Sequence, residues 1–467
     1  MTKFSFVLSV VLLFVMFFGY LNFRQDDAYI FYTYAKNIAE GNGYVYNLGE
    51  RINATTSPLY TLILAMLYFI TQNFSIDIFP LLANLIGVSS LAVISLSVKN
   101  IWKNSDAFKF FPLILLANPL LKFGFGMETF LNLALITLSV LMFTKKKYEL
   151  AFLFAGLSVL ARLDSVLFAG MLLFFYMIKN KNLFPIKLLM ILVLTVAPWF
   201  IFSFFYFDSF LPTTIAVKLS QEKFQMHGAG LIFLRGFFNA IPGTLFSASF
   251  LILSFIVCTF YLIKRKSVLL QNEGILIIFF YFGILFFVYT FILNAPPYQW
   301  YYTPFAIPLS ILFTYFLSDI INKENIKYLV LTCLFIIATI LPLKTISQGF
   351  NPKYSNYTEA IEWLNKKVSD NTILGVDEIG IMGYYYKRGK IVDALGLVNP
   401  EVVSHLNQKD FGWYISKYQP DFIINDYPKI MDHAGRDDER FTKHYFPVKI
   451  FESHGEKVAV FKKQSKI

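Results

Sequence analysis

The stretch FSFVLSVVLLFVMFFGYLNFRQDDAYIFYTYAKNIAEGNGYVYNLGERINATTSPLY, Phe4 to Tyr60, sets two textures side by side. Its first part, Phe4 to about Leu21, is an apolar run long enough to cross a bilayer. Only Met-Thr-Lys precedes it and no small-residue cleavage site follows, so it reads as a retained signal-anchor helix with its N-terminus in the cytoplasm. Just beyond stand two adjacent carboxylates, Asp26 and Asp27, at the start of a helix expected over Ala28 to Glu40. The sequence Glu40-Gly41-Asn42-Gly43 stops that helix, and a turn at Asn47-Leu48-Gly49 follows. Pro58 to Ile70 is apolar again. At about 1.5 Å per residue it falls short of a ~30 Å hydrocarbon core, so an interfacial or re-entrant helix on the outer side is expected.

The rest of the chain repeats the first texture. Of 467 residues, 56% are hydrophobic, 19% aromatic and only 15% charged, whereas a soluble domain carries about a quarter charged residues. Mean hydropathy is +0.56. Apolar runs at Ile78–Val98, Ala107–Leu121, Thr129–Phe143, Glu149–Ala161, Ser165–Ile178, Ile186–Phe207, Leu245–Ile263, Gly274–Leu293, Tyr301–Ser318 and Tyr328–Ile346 read as further spans. The cationic clusters Lys99/Lys103, Lys145–Lys147, Lys179/Lys181/Lys187, Lys264–Lys266 and Lys323/Lys327 then all fall on one side, as the positive-inside rule requires. Treating Pro58–Ile70 as a full span would put every later cluster on the wrong face. The net charge of +11 is therefore a topology signal, not a nucleic-acid signal. The two cysteines, Cys258 and Cys333, sit in apolar runs, which argues against a disulfide framework or a zinc site.

The expected fold is an α-helical polytopic membrane protein of about eleven spans, residues 1–348, with an outer loop at 22–76. From Gly349 the texture changes. Thr358–Val368 has helical spacing, Thr372–Gly380 and Asp421–Asp426 read as buried strands, and VKIFES and KVAVFKK form a terminal hairpin around His454 and Gly455. Residues 349–467 are thus expected to make a small extracytoplasmic α/β domain. No P-loop, dinucleotide fingerprint, HExxH or GxSxG is present, which leaves nucleotide-driven and serine-hydrolase chemistry without support.

Chemistry-bearing residues gather in the outer loops. Asp26 and Asp27 suit a helix N-terminus. One cap accounts for one aspartate; the pair also suits a general base, favouring Asp26, or oxygen ligands for a divalent cation such as Mg, Mn or Ca. Glu128, in GFGMETF, is a dipole partner or a member of the same site. Arg162 and Asp164, in ARLDS, form an internal salt bridge or leave Arg162 to meet an anion. Thr213, Thr214 and Lys218, on the loop LPTTIAVKLS, suit a phosphate, with snorkelling as the plain alternative for the lysine. Trp300 and Tyr301 are belt residues or stack on a sugar face. Tyr29, Asp377 and Asp393 complete the candidates for contact with a sugar or acceptor; the two aspartates are equally loop or cap residues.

With these residues in view the chain resembles the GT-C glycosyltransferases, and within them the group containing the actinobacterial cell-wall arabinofuranosyltransferases. The likeness lies in Asp26, Asp27, Ala28, Tyr29 and Ile30, in Asn37, Gly41, Gly43, Asn47, Gly49 and Glu50, and in Thr56-Ser57-Pro58-Leu59. Thr33 stands where the family has arginine and Leu48 where it has proline. Glu128 resembles the family's GxET turn. Arg162 resembles its R-P-[DE] turn, with Leu163 for proline, and Pro212, Thr214 and Lys218 resemble its PxTxxxK loop. Asp377-Glu378-Ile379-Gly380 and Asp393 resemble its tail. The resemblance implies inverting transfer of a sugar from a polyprenyl-phosphate donor to a hydroxyl of a glycan, lipid or protein, on the outer face of the cytoplasmic membrane. It implies Asp26 or Asp27 as base, Glu128 as a further catalytic carboxylate, and Lys218 and Arg162 for the phosphate. A transporter or flippase, which needs acids deep in the bundle, and a non-catalytic glycan-assembly protein are the alternatives.

Overall fold

The computed structural model describes residues 2–23, 25–71, 77–102, 110–223, 230–239, 272–320, 324–348, 351–428 and 438–464. The span expected at Leu245–Ile263 lies outside them. The chain divides into two compact units, one of Met1–Phe23, Pro80–Trp199 and His227–Ser347, the other of Arg24–Phe79, Phe200–Met226 and Gln348–Ile467. The second unit joins the outer loop to the tail.

The first unit is helical. Its elements are α1 (Thr2–Gly19), most of α4 (Phe79–Ile101), α5 (Phe111–Leu116), α6 (Thr129–Thr144), α7 (Tyr148–Ala161), α8 (Val166–Asn180), most of α9 (Ile186–Phe207), α11 (Ile232–Asn239), α12 (Glu273–Phe287), α13 (Ala306–Ile320) and α14 (Glu324–Gln348). Among the described residues, five stretches are long and apolar enough to cross a membrane: Phe79–Ile101, Leu163–Asn180, Ile186–Phe207, Glu273–Ile292 and Tyr328–Ser347. Leu12, Leu91, Phe111, Phe130, Phe152 and Phe282 belong to one buried core, while Val193, Leu194 and Phe205 of α9 face outward, as lipid-facing positions do. The run Ala107–Leu121 is not one helix. In its described part α5 ends at Leu116, and a 3-10 turn takes over at Pro119–Gly124. Pro119 cannot continue an α-helix, and the Asn118 side chain accepts the Leu120 N–H, fixing the break.

The second unit joins α2 (Asp26–Ala39), α3 (Pro58–Thr71) and α10 (Thr213–Lys223) to the tail. α3, with 14 residues, is short, as its length in sequence requires. The tail holds α15 (Pro352–Lys367), β1 (Leu374–Val376), α16 (Ile379–Tyr385), β2 (Ile391–Asp393), β3 (Phe422–Asp426) and the hairpin β4 (Tyr445–Ser453) and β5 (Glu456–Lys463). The sheet order is β2-β1-β3-β5-β4. β1 runs parallel to β2 and β3, and β5 antiparallel to β3 and β4. The parallel pair β1–β2 needs a crossover, and α16 supplies it. β1, between β2 and β3, is buried throughout, as central parallel strands are, and the edge strand β2 is buried as well. Edge strand β4 is largely exposed and carries Pro447 at an irregularity of its pairing, where proline is tolerated.

Candidate active site

The second unit builds its site on the first turn of α2. Asp26 is 7% exposed, and it caps not its own helix but α16. Its Oδ2 accepts the Gly380 N–H at 2.9 Å and its Oδ1 the Ile381 N–H at 2.8 Å. The approach is close because residue 380 has no side chain; a Cβ there would lie 1.9 Å from the Asp26 carbonyl oxygen. Tyr46 fastens the same junction by donating its hydroxyl to the Ile379 carbonyl at 2.5 Å. Burial and the neighbouring Glu378 push the Asp26 carboxyl up from its ordinary range, against the two amide donors. Gly380→Ala is expected to part α16 from α2 and cost stability at the upper end of the ~1–3 kcal/mol typical of overpacking. A lower melting temperature and faster proteolysis of the tail would register it.

Asp27, one residue on, is the open member of the pair. Its side chain is 25% exposed, with Oδ2 4.0 Å from Lys218 Nζ. Lys218 lies not in a loop but on α10. That helix begins where the Thr213 N–H donates to the Asn53 carbonyl at 2.8 Å, and Asn53 in turn donates to Ser203 at 2.9 Å. Val217 packs into the core of the tail, which fixes the rotation of the helix. Thr214 and Lys218, four residues apart, share a face. Thr214 is buried and its hydroxyl has no partner among the described residues, while Thr213 is half-buried.

Around this pair the tail contributes groups that sequence reasoning missed. Lys353, near the start of α15, bridges Glu378 and Asp426 at 3.2 Å each, and Tyr357 donates to Asp426 at 2.7 Å. Burial works against the Lys353 ammonium, but Glu378 and Asp426 outweigh it and hold it above its ordinary value. Burial raises Glu378, Lys353 opposes, and Asp27 adds to the rise. Glu378 thus belongs electrostatically with Asp26 and Asp27. Its only sequence signal is its place in the motif Asp377–Gly380.

Asp377 itself is 4% exposed, and neither carboxyl oxygen has a hydrogen-bond partner among the described residues. Burial, then Glu378, pushes it from 3.8 to about 8. The folded state therefore binds the proton more tightly than the unfolded chain, and this contribution to stability is complete below about pH 4 and lost as pH rises through about 8. Asp377→Asn, which keeps the neutral shape, is expected to remove that slope, so that melting curves of the two proteins diverge as pH rises from 5 to 9 in favour of the variant.

Three sugar-contact candidates are corrected by burial. Asp393 is fully buried, accepting the Leu395 and Val398 N–H groups at 2.9 and 3.2 Å; burial lifts it to about 6, and it shapes a turn. Asp377 has no surface to offer. Tyr29 is fully buried, packed edge-on against Tyr32 and Tyr384. Asp26 gives both oxygens to amides and Asp27 faces a lysine, and among the described residues no three His, Cys, Asp or Glu side chains converge.

The first unit assembles the other candidates. Arg162 donates from Nη1 to Glu128 at 2.8 Å and Thr129 at 3.5 Å, from Nη2 to Asp164 at 2.8 Å and Tyr289 at 3.2 Å, and from Nε to Asp164. Tyr289, on a π-helical turn at Val288–Ile292 that follows α12, donates to Asp164 as well. All five guanidinium N–H groups are engaged, so the expectation that Arg162 binds a donor phosphate is corrected; the internal salt bridge is what forms. Tyr301 lies beneath the guanidinium, its ring centre 5.7 Å away. Trp300 is half-exposed and stacks on Tyr298 at 4.8 Å. Glu128 belongs to the first unit and Asp26 and Asp27 to the second.

Two crystal structures have this architecture: ArnT from Cupriavidus metallidurans in the apo state, with a TM-score of 0.62, and ArnT from the same organism bound to undecaprenyl phosphate, with a TM-score of 0.60. Each is 12% identical, and the match covers 97% of this chain and 97% of ArnT. The fold is therefore the ArnT fold, that of a multi-pass membrane protein with a small C-terminal sheet domain. Residues 344–461 match a family model described as a domain of unknown function (DUF8728). No curated protein matches the chain.

Proposed function

We propose that the protein is a GT-C glycosyltransferase that moves a sugar, with inversion, from a polyprenyl-phosphate donor to an acceptor hydroxyl on the outer face of the cytoplasmic membrane. The observation that carries this reading is the accessible carboxylate of Asp27 4.0 Å from Lys218. Its setting is a fold shared with a protein crystallised with undecaprenyl phosphate.

Asp27 takes the proton of the acceptor hydroxyl as its oxygen bonds to the anomeric carbon. The bond from that carbon to the phosphate oxygen breaks, and its electron pair leaves with the lipid phosphate. That anion is stable without protonation, so no general acid is required. Lys218 receives it. Donor binding gives Lys218 a phosphate partner in place of Asp27, so the base is released when the substrate arrives. Asp26, the base favoured on sequence, is reassigned to holding α16 in place because its oxygens are occupied. Glu128 and Arg162 are assigned to securing the helix ends of the first unit, not to proton transfer or phosphate.

Membranes containing the protein, incubated with labelled polyprenyl-phosphate sugars, are expected to pass label to envelope material. No transfer from any such donor would overturn the reading. Lys218→Ala is expected to raise the KM for donor about tenfold or more, the scale of a lost charge-assisted contact, and leave the acceptor KM unchanged.

A further inference from the structure

The second unit contains a cavity of about 450 Å³ that the transfer reaction leaves unused. It lies between the later turns of α2, the turn that follows them, and the connection from α16 to β2. Its volume falls in the ~300–1,000 Å³ range of small-molecule sites.

The walls are built and not merely adjacent. Asn37 donates to the Val45 and Tyr46 carbonyls at 2.9 and 3.1 Å, which curls the turn back onto α2. Asn47 bridges both ways to β2, donating to the Ile391 carbonyl at 3.0 Å and accepting the Ile391 N–H at 3.3 Å. Lys390 pairs with Glu50 across the same rim. The first loop and the tail are thereby stitched together around a preformed hollow.

Its lining is about half polar and half apolar and carries both signs of charge. Lys36, Glu40, Asn42, Asn371 and Lys387 line it, with Tyr384 and Tyr386 adding ring surface. An apolar ligand would desolvate these groups without repayment. A sugar suits them, because each hydroxyl both donates and accepts and lysines, carboxylates and amides supply both partners within one hollow.

Position narrows the ligand further. Asp27 occupies the first turn of α2, whereas Lys36 and Glu40 lie near its end. At about 1.5 Å per residue these stand about 14 and 20 Å along the helix from Asp27. That is several sugar units from where the new bond forms.

We propose that this cavity is a distal acceptor subsite and that the acceptor is an oligosaccharide chain, one end held here while the other presents its hydroxyl to Asp27. The proposal rests on Asp27 as the base. It makes α2 a ruler between the point of transfer and the point of recognition.

The test uses the full-length protein in detergent on an array of neutral and acidic oligosaccharides, from single sugars to hexasaccharides. Wild type and Asp27→Asn are expected to retain the same glycans, more strongly as the chain lengthens. The double variant Glu40→Gln/Lys387→Ala, altered at two exposed side chains, is expected to lose at least tenfold in retention. Leu48→Trp, at an exposed residue on the cavity wall, is expected to do the same by filling it. Retention unchanged in both variants, retention independent of chain length, or no glycan retained would each overturn the subsite. Full turnover by Asp27→Asn would instead defeat the base assignment, so the two failures are told apart.

Discussion

Asp27→Asn is expected to lower sugar transfer by about 10²–10⁴-fold, the range that a positioned general base supplies, while the protein folds and inserts as before. The argument is one of access. Asp26 lies against two backbone amides of α16, and an asparagine there would turn an N–H toward one of those donors. Asp27 carries no such structural bond among the described residues, is a quarter exposed and faces Lys218, so its amide replacement is sterically silent. The measurement is turnover of a labelled polyprenyl-phosphate sugar at saturating donor, alongside the melting temperature. Unchanged turnover would move the base elsewhere. A collapse of stability matching the loss of activity would make Asp27 a structural residue. Asp26→Asn should show the opposite profile, with loss of stability leading and activity following.

The largest stability effect is expected at Arg162. Its guanidinium bonds both Glu128 and Asp164, each at 2.8 Å. Removing one partner of a buried ionic group typically costs about 3–5 kcal/mol, because the remaining charge is stranded; Arg162→Ala strands two carboxylates. Lysine is not a remedy, since one ammonium cannot reproduce the planar fork that serves Glu128, Thr129, Asp164 and Tyr289 together. The protein should therefore melt well below wild type in Arg162→Ala and only slightly better in Arg162→Lys. The double change Glu128→Gln/Asp164→Asn in the Arg162→Ala background should recover part of the loss. A phosphate-binding Arg162 would show another signature, a raised donor KM at unchanged stability.

The helical body was legible wherever hydropathy alone decided it. Ile186–Phe207 is the same helix in sequence and structure because twenty-two residues offer almost nothing but apolar side chains. The break at Asn118-Pro119 escaped because averaging over a run hides a single residue that cannot donate. α10 escaped for the converse reason: its polar surface reads as loop until Val217 is seen buried against the tail. In the site, the type of residue was legible and its partner was not. Adjacent positions on a helix point about 100° apart, and only the docking of α16 decides which of Asp26 and Asp27 is covered. Lys353 and Glu378 are 25 residues apart in the chain, with no periodicity joining them. Arg162 carried both of its readings in sequence, and only the count of its engaged N–H groups chose between them.

The bond from Gly380 to Asp26 spans 354 residues, and this imposes an order on biosynthesis. The first loop emerges near the start of translation, yet its buried carboxylate has no α16 to receive it until nearly the whole polypeptide has been made. Contacts of such long range form late. The second unit is thus assembled last, from some of the earliest and latest segments of the chain. A chain cut short anywhere before α16 would lack the clasp that shapes the loop bearing Asp27.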